Sequence, residues 1–187
     1  MRIYLAAPIF AEWNREYNEK VAQRIEAEFP DVELYVPQRN SAINDKTKCA
    51  TAEDICQGDF TNNLDHDDIV VALVDGDTPG IGTTIECGYF ARICQEEIER
   101  QGHTDKCIIS LYTDSRECSH TTNAAKEAKL QEFAECQYSY LNLLLVGVLK
   151  RYGTMCYTID EVIAALHLAI QKYRNHAATT ESVSDWR

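Results

Sequence analysis

The sequence predicts an open, doubly wound α/β fold: a five-stranded parallel sheet in the order 2-1-3-4-5 with helices on both faces. Three observations carry this. Strand-like apolar runs alternate with helix-spaced runs along the whole chain. The run Ile69-Val70-Val71-Ala72-Leu73-Val74 is apolar throughout, as a strand covered on both sides must be. The length, 187 residues, suits a single buried core.

The elements follow in order. Ile3 to Ala6 forms a short strand that Pro8 ends. Trp13, Tyr17, Val21, Ile25 and Phe29 then recur at four-residue spacing, which predicts a helix over 12–29. Val32 to Val36 is the second strand, stopped by Pro37, and the polar stretch 38–48 is a loop long enough to carry a role. Thr51 with Asp54 opens a helix running to about Leu64, before the third strand. Glycines in 76–82 break the chain ahead of a helix from about Thr83 to Arg100. Cys107 to Leu111 is the fourth strand, 122–150 a long helical stretch, Thr154 to Thr158 the fifth strand, and 160–173 an amphipathic helix. One flavodoxin-like domain over 1–174 is expected, with a flexible tail over 175–187. In such sheets ligands bind beyond the carboxyl ends of the strands where strand order reverses, here between strands one and three.

Composition narrows the function. The 18 basic and 30 acidic residues leave a net charge of −12, the wrong sign for gripping nucleic acid backbones or anionic membranes. No apolar stretch reaches the length of a membrane span, and the short N-terminal apolar run is broken too early for a signal peptide, so a cytoplasmic protein is expected. Eight cysteines without a Cys-x-x-Cys pair read as reduced thiols, with Cys87 and Cys94 on one buried helix face. The histidines at 66, 103, 120, 167 and 176 show no ligand spacing, and Asp65, Asp67 and Asp68 read as solvated residues leading into a strand. No metal and no cofactor are expected.

The segment from Asp75 to Tyr89 is the richest in chemistry. Gly80 and Gly82 allow close approach of a ligand to a helix N-terminus, yet the lysine and spacing of a P-loop are missing. Glu86 has two readings on the residues alone. Thr83-Thr84-Ile85-Glu86 fits a capping box, in which the carboxylate bonds its own backbone. Alternatively the carboxylate faces the ligand crevice as a nucleophile.

Three segments bear on the choice: Ile-Tyr-Leu-Ala-Ala-Pro at 3–8, Val-Val-Ala-Leu-Val-Asp-Gly at 70–76, and Gly82-Thr83-x-x-Glu86-x-Gly88-Tyr89. In order and spacing the sequence resembles the nucleoside 2-deoxyribosyltransferase family across roughly residues 2–95. The resemblance implies a glycosyltransferase that exchanges purine and pyrimidine bases between 2-deoxyribonucleosides, with Glu86 as nucleophile and retention through a covalent intermediate. It implies Asp59 as the group assisting the leaving base, with a register one residue off the family pattern. It places Tyr4 and Phe10 near the nucleophile and the base, although core packing is a rival reading for both.

One position departs from the pattern. Where the family usually has an Asp six residues before its nucleophile, this chain has Gly80, so Asp77 or a backbone N–H would hold the sugar hydroxyls. Tyr140 to Leu144 resembles the stretch by which family members reach into a neighbouring subunit, giving Asn142 the sugar's 5′-hydroxyl and Leu144 the place of a Met. A satisfied core amide is the alternative for Asn142. The apolar run 138–149 argues for a homo-oligomer. Gln38, Arg39 and Asn40 could offer groups to a base edge. Two other functions stay open: an N-glycosidase acting on deoxynucleoside 5′-monophosphates, and a non-catalytic nucleotide-binding module.

Overall fold

The computed structural model describes residues 1–41, 47, 51–76, 79–115, 125 and 140–184, with side chains to residue 176. Strands β1 (Arg2–Ala6), β2 (Glu33–Tyr35), β3 (Ile69–Leu73), β4 (Cys107–Leu111) and β5 (Gly153–Cys156) form one parallel sheet, ordered β2-β1-β3-β4-β5. The described helices are α1 (Glu12–Glu28), α2 (Ala52–Asp59), α3 (Ile81–Gln101), α4 (Leu143–Arg151) and α5 (Ile159–Ser184). Single 3₁₀ turns occupy Pro37–Arg39 and Leu64–His66. The predicted α/β class and strand order are the observed ones.

Alternation along the strands sorts the core into two layers. Ile3 and Leu5 of β1, with Ile69, Val71 and Leu73 of β3, pack beneath α1 and α5. Tyr4 and Ala6, with Val70 and Ala72, face the opposite layer beneath α3 and α4. All five residues of β3 are buried, which is why that strand reads as one unbroken apolar run. The register Tyr4↔Val70 and Tyr4↔Tyr35 fixes the face onto which the Tyr4 hydroxyl projects.

Several boundaries differ from the sequence reading. Helix α2 has the expected Thr51–Asp54 capping box but ends at Asp59, five residues short of Leu64, which instead starts a 3₁₀ turn. Of the stretch 122–150, Ala125 is helical, while residues 140–142 form a turn and the helix over the end of the stretch starts at Leu143, with the Asn142 side chain as N-cap. Helix α5 runs past Tyr173 and Asn175 to Ser184. Side-chain ties anchor it at residues 172–176: Arg174 pairs with Asp31, Lys172 donates to the Thr104 carbonyl at 3.1 Å, and His176 bonds Asp105 at 2.7 Å.

Asp67 corrects the reading of solvated aspartates. It is fully buried, neither of its carboxylate oxygens has a hydrogen-bond partner among the described residues, and the nearest cation is Arg2, with Nε 3.7 Å away. Burial pushes its pKa up to about 6 against the lowering influence of Arg2 and Lys106. Asp68 accepts the Arg2 N–H at 2.8 Å, and Asp65 accepts the Tyr89 hydroxyl at 2.7 Å.

Candidate active site

A cavity of about 430 Å³ opens at the carboxyl ends of β1 and β3, where the strand order reverses. Its walls come from the turn after β1 (Ala7 to Phe10), the end of β2 (Tyr35 and Pro37), α2 (Ile55 and Asp59) and the start of α3 (Gly80 to Thr83, and Glu86). Short β–α turns bring these segments together, because each parallel strand must feed a helix at this end.

Helix α3 starts earlier than its Thr83 signal suggests. Gly80 is its N-cap in an extended conformation with no side-chain cap, and the Thr84 N–H already donates to the Gly80 carbonyl at 2.9 Å. Glu86 is therefore the sixth helical residue, too deep for a capping box, and its side chain turns toward β1. The Tyr4 hydroxyl donates to Glu86 Oε1 at 2.8 Å, while Oε2 is buried without a hydrogen bond among the described residues.

This environment sets the proton affinities. Burial raises the pKa of Glu86 to about 7, the Tyr4 hydrogen bond opposes the rise, and the nearby charge of Asp59 adds to it. Burial first, then the charge of Glu86, drives the Tyr4 phenol far above its ordinary value, so it remains a hydrogen-bond donor. In Tyr4→Phe the one contact favouring ionised Glu86 is lost. Its pKa should climb further, moving the acid limb of the activity profile up by about one pH unit. A kcat/KM profile over pH measures this, and an unmoved limb would separate Tyr4 from the titrating group.

Tyr4 is wholly buried and packs at 5.3 Å from the Tyr35 ring, so packing and hydrogen bonding coexist in one residue. Phe10 is 84% exposed on the cavity rim, which overturns the core-packing alternative. Asp59 closes the end of α2 and lines the same cavity as Glu86. Gly80 and Gly82 line it too. A Cβ on Gly80 would sit 3.1 Å from both Pro8 Cγ and Thr83 Oγ1, leaving little room for a larger residue in this backbone. Asp77 lies outside the described residues.

Asn142 is exposed, its Oδ1 accepting the Leu144 N–H at 2.9 Å, and it does not line this chain's cavity. The amide is thus a helix cap and not a core group. Gln38 and Arg39 turn away from the cavity toward α1. Gln38 accepts from Asn18 and donates to the Arg15 carbonyl, both at 3.0 Å, and Arg39 pairs with Glu19 and Glu26. Asn40 bonds the Tyr35 hydroxyl at 2.9 Å and so braces a wall residue.

Sequence reasoning missed Tyr35 and Ile55 as wall residues and gave Thr83 no role of its own. The Thr83 hydroxyl is buried without a hydrogen-bond partner among the described residues, an arrangement that favours a ligand group able to bond it. Its place in a Thr-x-x-Glu pattern disguised it as a cap. No Lys or Arg is among the described residues that line the cavity.

A family model described as nucleoside 2-deoxyribosyltransferase matches residues 3–129, a span that contains every wall residue just described. The chain belongs to the nucleoside 2-deoxyribosyltransferase family. Its place in that family marks it as an enzyme of the glycosyl-transfer type with nucleoside chemistry. Among solved structures, a crystal structure described as a conserved protein from Enterococcus faecalis V583 is similar, with 33% identity and a TM-score of 0.67. The match covers 90% of this chain and 98% of that one. No curated protein matches. No described helix of this family member is long and apolar enough to cross a membrane.

Proposed function

We propose that this chain exchanges purine or pyrimidine bases between 2′-deoxyribonucleosides through a covalent deoxyribosyl ester on Glu86, with retention of configuration. The observation that carries this reading is the asymmetry of one carboxylate. Oε1 is held by Tyr4, and Oε2 is buried beside a cavity of nucleoside size without a hydrogen bond among the described residues.

In the first half-reaction Oε2 attacks C1′. The glycosidic C–N bond breaks and its electron pair leaves with the base, which takes up a proton from the Asp59 side of the cavity. In the second half-reaction the ring nitrogen of an incoming base attacks C1′, the ester bond breaks, Glu86 regains its charge, and the base returns a proton to the Asp59 side. The missing 2′-hydroxyl makes the oxocarbenium-like transition state easier to reach, so these steps use no cofactor. Tyr4 orients Glu86, and the Thr83 hydroxyl and the backbone at Gly80 and Gly82 face the sugar. Phe10 and Tyr35 offer rings to the base.

A nucleoside is favoured over a nucleoside monophosphate because the described walls hold two carboxylates and no basic side chain. The substrates act within the cell's base and nucleoside pool, in the cytoplasm. A second copy of the chain is the expected partner: Leu144 is 79% exposed and Leu143 is also exposed beside Asn142, a surface better covered than wet. In that assembly Asn142 reaches a neighbouring copy's sugar site.

Incubation of the protein with deoxyinosine and cytosine should yield deoxycytidine and hypoxanthine. Intact mass spectrometry with a 2-fluoro-2-deoxy-arabinosyl nucleoside should show one sugar adduct, mapped to Glu86. Free deoxyribose with no new nucleoside would indicate hydrolysis instead, and absence of any adduct or turnover would leave a binding module.

A further inference from the structure

At the end of the sheet opposite the cavity, two histidines from distant segments meet around one carboxylate. His103 and Asp105 lie in the connection between α3 and β4. His176 arrives from α5. One donor atom from each of His103, Asp105 and His176 lies within 4.8 Å of the others, and the imidazole rings are 4.4 Å apart between centroids. The spacing of histidines along the sequence gave no hint of this, because the ligands are brought together only by packing of the last helix.

We propose that His103, Asp105 and His176 form a binding site for a divalent transition-metal ion of the Zn²⁺ class, which clamps α5 to the start of β4.

The chemistry of the donors selects the ion. Two imidazoles and a carboxylate suit Zn²⁺, Co²⁺ or Ni²⁺ better than Mg²⁺ or Ca²⁺, which prefer all-oxygen sets. Three protein ligands leave a fourth position for water. Donor atoms around a tetrahedral ion with bonds of about 2.0 Å stand roughly 3.3 Å apart, so small side-chain rotations close the triad. The surroundings are already organised. The Gln101 carbonyl lies 3.2 Å from His103 Nδ1, close enough to accept from it and so to orient the ring. His176 Nδ1 is 2.7 Å from Asp105 Oδ2. Asp105 Oδ1 is buried and has no hydrogen bond among the described residues, its nearest cation being Lys172 Nζ at 3.4 Å.

Lys172 makes the proposal sharply testable, since a resident ammonium competes with a metal cation for the same carboxylate. The full chain, stripped with EDTA and dialysed, is titrated calorimetrically with ZnCl₂, and CoCl₂ binding is followed by visible absorption. Wild type should take up one Zn²⁺ with a raised Tm. His103→Ala and His176→Ala should bind more than about tenfold more weakly, with circular dichroism confirming the fold. Lys172→Met should bind several-fold more tightly, and Glu86→Gln, altered only at the opposite end, should bind as wild type does. Equal uptake by wild type and His103→Ala, or no saturable uptake by either wild type or Lys172→Met, overturns the site.

Discussion

Glu86→Gln should lose base exchange by at least about 10³-fold and form no sugar adduct, while folding normally. The amide keeps the size and a carbonyl oxygen able to accept from Tyr4, yet it offers no anionic oxygen to C1′. The same change should make the protein more stable at alkaline pH, and the sign follows from linkage. Folding raises Glu86 to about 7 and Asp67 to about 6, both above ordinary carboxylates. The folded state therefore binds more protons than the unfolded chain between about pH 4 and 7, and stability falls as pH rises through that window. Removing Glu86 removes its share, roughly 3 kcal/mol at pH 8. Chemical denaturation at pH 5 and pH 8 reads this directly. A variant with unchanged pH dependence would show Glu86 to be solvated, and retained exchange would end its assignment as nucleophile.

Gly153→Ala should produce the largest loss of stability of any single methyl added to the strands. Gly153 opens β5 in register with Ile108, and a Cβ there would lie 1.6 Å from the Ile108 carbonyl oxygen and 2.9 Å from its nitrogen. Backbone atoms cannot rotate away as a side chain does. Strand β5 must separate from β4 or tilt, disturbing the parallel ladder over Leu149 and the α4 layer. A loss of roughly 3 kcal/mol, or about 10 °C in Tm, is expected. Gly82→Ala is the control, since nothing lies within 4 Å of a Cβ there and the residue sits in the first turn of a helix. A Tm for Gly153→Ala within a degree or two of wild type would mean that the β4–β5 edge is looser than its geometry.

How much of this was legible depended on the range of the interaction concerned. Strand β3 was plain because a strand buried on both faces writes its whole environment into consecutive residues. The Thr51–Asp54 start of α2 was plain because a side-chain cap is local. The start of α3 was misplaced because Gly80 caps it without a side chain, and Thr83 with Glu86 imitates a box that does not form. Burial of Asp67 was hidden because its flanking residues are polar and its nearest cation, Arg2, comes from the first strand. Family resemblance, more than periodicity, singled out Tyr4, Asp59 and Glu86; the fold brings Asp59 and Glu86 to one cavity and sets the buried Tyr4 behind Glu86. Tyr35 and Ile55 join that wall through strand order and helix position, which no local pattern encodes.

The contact between Gly80 and Pro8 has a mechanical consequence. Because position 80 carries no side chain, the turn leaving the third strand lies close to the proline ring of the turn leaving the first, where even a Cβ would come within 3.1 Å of Pro8 Cγ. Any bulk added at position 80 would force the two lips of the crevice apart and tilt the first turn of the helix that bears Glu86.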